Sequence, residues 1–304
     1  MIVRIGMAPA PGALGPDSLT ALVLGLEREG FDSLWVSERA SGPALDPVVV
    51  LAHAAALTSR IKLGTAVMTV PGRSPALLAK ELASLDVLSR GRLLPAFGLG
   101  QRLPAEQQAF GVRREERAAI FEEALPLLRR FWAGDAVVHD GARFRYDGLR
   151  IEPRPVKGGF DVWMGGTSDA ELRRTGRLSD GWLAAFTTPA EAERGRVAVQ
   201  EAAAAAGREI EEEHFGAVVP YRRGPLPEEA AARFARVRRI SGPADPADVV
   251  PDLDGLEAHL KRLVEAGLSK FVLAPLSAPD DWNAELADLR DAALFLQSRP
   301  RRLA

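Results

Sequence analysis

The chain has 304 residues, of which 47% are hydrophobic and 26% charged, with a formal net charge of −2 and a pI near 6.2. A charge balance this close to neutral supplies no basic surface for a nucleic-acid partner. The chain has no cysteine, so disulfides, thiolate metal sites and cysteine nucleophiles are excluded.

In chain order, short β-branched or aromatic runs alternate with longer helical patterns. The opening MIVRIGMAPAPG has neither the basic start nor the apolar run of a secretion signal, and no apolar stretch reaches the roughly 20 residues of a membrane span, so a cytoplasmic protein is expected. Ile2 to Ala8 is the first predicted strand. Asp17 to Glu29 follows as a helix, with Leu19, Leu22, Val23 and Leu26 on one face and Gly30 as its stop. Ser33 to Ser37 is the second strand, Pro47 to Leu57 the second helix and Ile61 to Met68 the third strand. Ser74-Pro75 opens a helix to about Leu88, with proline in its first turn. Leu93 to Phe97 is the fourth strand and runs into Gly98-Leu99-Gly100. A long helix spans about Glu115 to Trp132, and residues 136 to 152 form a hairpin around Asp140-Gly141 and Asp147-Gly148.

Asp161 to Met164 is the fifth strand and Ser168 to Arg177 its helix; Gly181 to Phe186 and Pro189 to Ala206 make the sixth pair. Phe215 to Tyr221 is the seventh strand. Residues 223 to 254 are irregular and Pro-rich, with one helical stretch near 227 to 238. Leu256 to Ala266 is a helix, Lys270 to Pro275 the eighth strand and Trp282 to Leu296 the closing helix. Eight strand–helix units close into a single α/β domain over residues 1 to 304, a (β/α)8 TIM barrel with insertions, notably after strand seven. The competing open doubly wound sheet needs a glycine fingerprint after its first strand, and Ala8 to Gly12 does not supply G-x-G-x-x-G.

Barrel chemistry sits at the carboxyl ends of the strands. Those ends present Glu38 and Arg39 after strand two, Met68-Thr69 after strand three, Gly98, Gly100 and Gln101 after strand four, and Gly165, Gly166, Thr167 and Ser168 after strand five. None of the five lysines falls there, so a Schiff-base mechanism has no nucleophile. The four histidines form no metal-ligand spacing. A mouth poor in titratable groups points to a bound cofactor as the source of chemistry.

The sharpest local signal is WMGGTSDAEL, residues 163 to 172. Two glycines end a strand, a helix starts at once, and Ser168 with Glu171 spells a capping box. Free amides at such a helix start suit a phosphate; an ordinary capped helix after a tight turn explains the same residues. Gly98 and Gly100 either admit a planar ligand or only make a turn. Trp35 and Trp163 are core positions, His53 a helix residue that is packed or half exposed, and residues 208 to 213 a solvated charge cluster. Arg222-Arg223 fits either an anionic ligand or the surface.

Several segments together resemble the bacterial luciferase-like monooxygenase superfamily, in its branch of F420-dependent oxidoreductases. They are GFDSLWVSE at 30 to 38, LGTAVMTVPGRSPALLAKELASLDVLSRGRLLPAFGLG at 63 to 100, RRFWAGD at 129 to 135, and VWMGG…RTGRLSDGW between 162 and 182. The resemblance implies a TIM barrel with an insertion near strand seven and a tricyclic flavin or deazaflavin ring in its mouth. It implies a non-prolyl cis peptide at Ala66–Val67 against the ring, with Thr69 nearby, Gly98 and Gly100 at its border and Glu38 as a polar neighbour. Gly165, Gly166, Thr167 and Ser168 would take the cofactor phosphate. Sugar-oxidising members carry a histidine and a glutamate where this chain has Arg39 and Gln101, which removes the acid–base pair for that oxidation and leaves Arg39 and Gln101 to orient a substrate.

The expectation is therefore an F420-dependent oxidoreductase moving a hydride between the deazaflavin and a small organic substrate. The alternatives are an FMN-dependent two-component monooxygenase fed by a separate reductase, a non-catalytic cofactor-binding barrel, and a non-redox phosphosugar enzyme that the empty lysine and histidine positions disfavour. A homodimer is common in the family; a nucleic-acid or membrane partner is not expected.

Overall fold

Alternation of buried β-branched runs with amphipathic segments yields parallel strands wrapped by helices. A computed structural model describes residues 1–10, 12, 14–228, 230–232, 234–235 and 244–297. In chain order the elements begin β1 (Arg4–Met7), α1 (Pro16–Glu29), β2 (Ser33–Val36), α2 (Pro47–Leu57), β3 (Lys62–Thr65), β4 (Met68–Thr69) and α3 (Pro75–Ser89). Next come β5 (Leu93–Leu94), β6 (Ala96–Gly98), α4 (Pro104–Phe110), α5 (Arg117–Ala133), β7 (Val137–Asp140), β8 (Arg145–Leu149), β9 (Trp163–Gly165) and α6 (Asp169–Leu178). The chain continues through β10 (Gly181–Ala185), α7 (Pro189–Ala205), β11 (Phe215–Tyr221), α8 (Leu253–Glu265), β12 (Lys270–Pro275) and α9 (Trp282–Ala293).

The main sheet runs β4-β6-β9-β10-β11-β12-β1-β2-β3-β5, and every pairing in it is parallel. Its two ends are pieces of the same two staves. β3 and β4 are one stave interrupted at Ala66–Val67, where the peptide bond is cis. β5 and β6 are the next stave, interrupted at Pro95, which has no N–H to give to a ladder. Because β3 pairs with β5 and β4 with β6, the eight staves close into a barrel, as expected from the eight units. β7 and β8 form the separate antiparallel hairpin, whose turn is held by the Glu123 carboxylate accepting from Arg143 N and Phe144 N.

Most helices start where the sequence signals a start. Asp46 accepts from Val48 N and Val49 N ahead of α2, and Pro16, Pro47, Pro75 and Pro189 open their helices. The buried faces of α1, α3 and α5 pack around the staves, and Trp35 and Trp163 fill the barrel interior edge-to-face with ring centroids 6.4 Å apart. They are core residues, as expected.

Three differences from the sequence reading are structural. The third and fourth strands are each split. α4 is an additional helix, introduced by Pro104 and ended by Gly111 at φ 63°. The closing helix ends at Ala293, with a 3-10 turn over Leu294–Leu296. The long connection after β11 is present; the helical stretch expected near 227 to 238 lies partly outside the described residues. Among the described residues of that connection, Phe234, Val249 and Val250 form a small apolar cluster against Phe186 and Leu276. No helix among the described residues is long and apolar enough to cross a membrane.

Candidate active site

The third stave creates the site's most distinctive wall. Its alternation is broken at Ala66–Val67, and the broken ladder is repaired by side chains. Thr65 Oγ1 donates to Ala96 O and accepts from Ala96 N, both at 2.8 Å. Ser37 Oγ donates to Ala66 O at 2.9 Å, while Ala66 N donates to Val36 O. The bulge is thereby fixed from both neighbouring staves, and Val67 projects toward Gly98 and Gly165. A Cβ built at Gly98 would stand 2.7 Å from Val67 Cγ2, so the fourth stave needs glycine there for the backbone to pass so close.

Glu38 is buried beneath this wall, 8% exposed. Its carboxylate accepts from Thr69 N at 2.7 Å and from the Arg73 guanidinium, whose Nε in turn donates to Thr69 O at 3.0 Å. Glu38 and Arg73 thus clamp the end of the third stave. Both oxygens of the carboxylate are thereby engaged, one by Thr69 N and the other by Arg73.

The next residue, Arg39, sits on a loop tied down by α4. Glu106, buried on that helix, accepts from Ser41 N at 2.9 Å, Ser41 Oγ at 2.5 Å and Ala40 N at 3.4 Å. Burial alone would raise the Glu106 pKa, but the Ser41 and Ala40 donors and the nearby Arg39 charge hold it below the usual carboxylate range. After the fourth stave, Gln101 O accepts from the guanidinium of Arg117, the first residue of α5, at 2.6 Å, which fixes the turn that presents Gln101. Arg117 is 3% exposed, and its Nη2 has no hydrogen-bond partner.

These walls enclose a cavity of about 360 Å³ at the carboxyl ends of the staves, within the usual range for small-molecule sites. Glu38, Arg39, Ala66, Val67, Thr69, Gly98, Gly100, Gln101, Gly165 and Gly166 all line it, together with Leu183, Val218 and Ala274. Arg39 is the one cation among its described lining residues, and it makes no ion pair or hydrogen bond. The shelf of Ala66, Val67, Gly98, Gly165 and Leu183 is apolar and nearly free of protruding side chains, which suits a planar ring.

The fifth stave departs from expectation. Thr167 and Ser168 do not line the cavity; they face a neighbouring groove of about 520 Å³ between the starts of α6 and α7. Thr167 N and Ser168 N donate to Glu171 Oε2 at 3.1 and 3.0 Å, and Ser168 Oγ donates to the same oxygen at 2.8 Å. The amides expected to meet a phosphate are therefore held by the capping glutamate, which itself lines the mouth. Arg222 pairs with Asp252 at 3.3 Å, and Arg223 with Glu285 and Asp288 at 2.7 Å each, so both arginines serve the connection's structure. Arg208 is likewise no simple surface charge: with Arg129 it holds Asp180. His53 lies on α2 as expected, but it is exposed rather than packed or half exposed.

Arg73, Glu106, Arg117 and the cavity-facing role of Glu171 were not singled out from sequence as site residues. Among the described residues, no cluster of three or more His, Asp or Glu could hold a metal ion.

Against known families, the model described as luciferase-like monooxygenase matches residues 2–286. The chain is 31% identical over 223 residues to an F420-dependent glucose-6-phosphate dehydrogenase of Nocardia farcinica, covering 69% of this chain and 66% of that protein. It spans between 56% and 66% of the length of the first curated relatives it matches. An F420-dependent secondary alcohol dehydrogenase solved with an F420–acetone adduct superposes with a TM-score of 0.81 at 19% identity, over 98% of this chain and all of that one. The FMN-bound oxygenating component of 3,6-diketocamphane monooxygenase from Pseudomonas putida gives 0.78 at 19%, over 99% and 100%. At these identities the structural likenesses bear on the fold.

Proposed function

The chain belongs to the luciferase-like monooxygenase family, and from that premise we propose that it is an F420-dependent oxidoreductase acting on a small organic substrate. The observation that carries this reading is the apolar shelf in the barrel mouth, where Val67 lies against Gly98 and Gly165. A tricyclic ring fits such a shelf; an aliphatic or strongly hydrated ligand gains little from it. When bound, the deazaflavin ring gives or takes a hydride at its C5 carbon.

The chain's own residues do the rest. Val67, Gly98 and Gly165 support one ring face, with Leu183, Val218 and Ala274 completing an apolar enclosure that limits water. Glu38, with Arg73, holds the Thr69 backbone and keeps the bulge in place. Arg39 supplies a positive charge at the rim that no hydrogen bond or close ion pair engages, able to orient or polarise a substrate oxygen or carboxylate. Gln101, fixed through Arg117, offers an amide donor and acceptor. No carboxylate or histidine free of a partner faces the cavity as an obvious base among its described lining residues, which favours reduction of an electron-poor substrate over alcohol oxidation. Positioning the reacting carbon at the ring face is then the main catalytic contribution.

Separate titrations of the purified protein with F420 and with FMN, followed by cofactor fluorescence, test the reading. Saturable binding of F420 and oxidation of reduced F420 by a screened acceptor are expected. Binding of FMN alone would replace it with the two-component monooxygenase, which needs a partner reductase. Binding of neither would remove both.

A further inference from the structure

Resting on the reading of the mouth as a cofactor site, we propose that Glu171 is a specificity-determining residue that weighs against a ligand's anionic group on the fifth-stave side. The cavity carries two charges that can act on an incoming ligand. Arg39 stands on the second stave, and Glu171 just beyond the fifth, on the far side of the barrel. Glu38 is neutralised by Arg73. A phosphate or carboxylate that approaches residues 165 to 168 from the mouth meets the Glu171 carboxylate, which lines it. The donors it would need, Thr167 N, Ser168 N and Ser168 Oγ, are already given to Glu171 Oε2.

Local geometry commits the side chain to this place. Gly166 has φ +115°, and a Cβ built on it would stand 2.6 Å from the Glu171 Cβ. Glycine at 166 thus lets Glu171 fold back across the strand end. The sequence that looks like a phosphate seat therefore carries its own anion, and a bound phosphate must displace that carboxylate or lie beside it. Like charges brought together in a partly desolvated pocket repel strongly. The phosphate of a cofactor accordingly contributes little to affinity while Glu171 is charged and in place.

The test compares wild type with Glu171→Gln, which keeps an acceptor in the capping box but drops the charge, and Glu171→Ala, which drops both. Inorganic phosphate is titrated in while the Thr167 and Ser168 amide resonances are followed by NMR. Phosphate affinity at these amides is expected to rise about tenfold or more in both variants relative to wild type. Equal affinity in all three proteins, or no response of these amides in either variant, would overturn the proposal. In a second arm, F420 is compared with its phosphate-free chromophore, and FMN with riboflavin. The phosphate should improve binding by less than about threefold in wild type and by about tenfold in Glu171→Gln; an equal phosphate increment in both contradicts the proposal. If no ring compound binds wild type, the cofactor reading fails, and the phosphate titration still decides the role of Glu171.

Discussion

The two ends of the barrel treat charge in opposite ways. At the amino-terminal end, Asp32 lies among three cations: Lys270 at 3.2 Å, Arg4 at 3.6 Å and Lys62 at 3.7 Å. Burial alone would raise the Asp32 pKa, but Lys270 and Lys62 hold it below the ordinary value. A cavity of about 610 Å³ opens there, larger than the mouth; Arg4, Lys62 and Lys270 on its wall are tied to Asp32, Arg92 spends its guanidinium on the Ala55, Thr58, Ile61 and Ser89 carbonyls, and Lys157 stands exposed on the wall. At the carboxyl-terminal end, Arg39 makes no hydrogen bond or close ion pair, only a longer-range interaction with Glu106, and stands beside an apolar shelf. Cavity size does not mark the site; the apolar shelf with a charge at its edge does. One end is built for stability and the other for binding, as barrels generally divide the work.

Substitutions at the two ends should separate stability from binding. The largest effect is expected from Asp32→Asn, which leaves Lys270 buried without its counter-charge. Breaking a buried pair in this way costs about 3–5 kcal/mol. A urea titration should show that loss while the folded fraction keeps its cofactor affinity; a cofactor defect without a stability defect would merge the two ends. Next is Arg73→Leu at the mouth. Arg73 is only partly buried, so the stability loss should be smaller, about 1–3 kcal/mol for an orphaned Glu38. Cofactor affinity should fall by about tenfold or more, because Thr69 and the bulge lose their anchor, and Arg73→Lys should restore part of it.

Acid exposes the same division. Because the folded-state pKa of Asp32 is depressed, its contribution to stability is present above its ordinary value of 3.8 and is lost as pH falls through the folded value. Glu27, lowered to about 2 by the Ile61, Ser59 and Arg60 donors despite burial acting to raise it, adds a loss in the window from 4.5 downward. Asp32→Asn should flatten part of this acid slope in a pH series of unfolding midpoints; an unchanged slope would free Asp32 from its assigned role. The smallest stability effect belongs to Arg39→Met, within about 0.5 kcal/mol for a half-exposed side chain that makes no hydrogen bond or close ion pair. Its KM for a reducible acceptor should nevertheless rise by about tenfold, and an unchanged KM would remove Arg39 from substrate binding.

The sequence made the barrel legible because each β-branched run and each amphipathic stretch carries its own period. It did not reveal the split of Ile61–Met68, since alternation reports which side chains are buried and not the isomer of a peptide bond; the bulge came through family resemblance. α4 was missed because PAEQQAF is short and has no apolar stripe, although Pro104 and Gly111 mark its ends. Glu106 and Arg117 support the mouth through contacts 65 and 16 residues distant in sequence, which no local pattern encodes. Glu171 was legible as a helix cap. Its consequence for a phosphate was already contained in the same four-residue motif, because a capping box names the group that takes the amides.

The most direct test of the central claim is a crystal structure of the protein with F420 at saturating concentration. The account predicts the deazaflavin ring lying against Val67, Gly98 and Gly165 with Arg39 at the open edge of the mouth. A ring bound anywhere else, or side chains filling that shelf while F420 stays in solution, would contradict it.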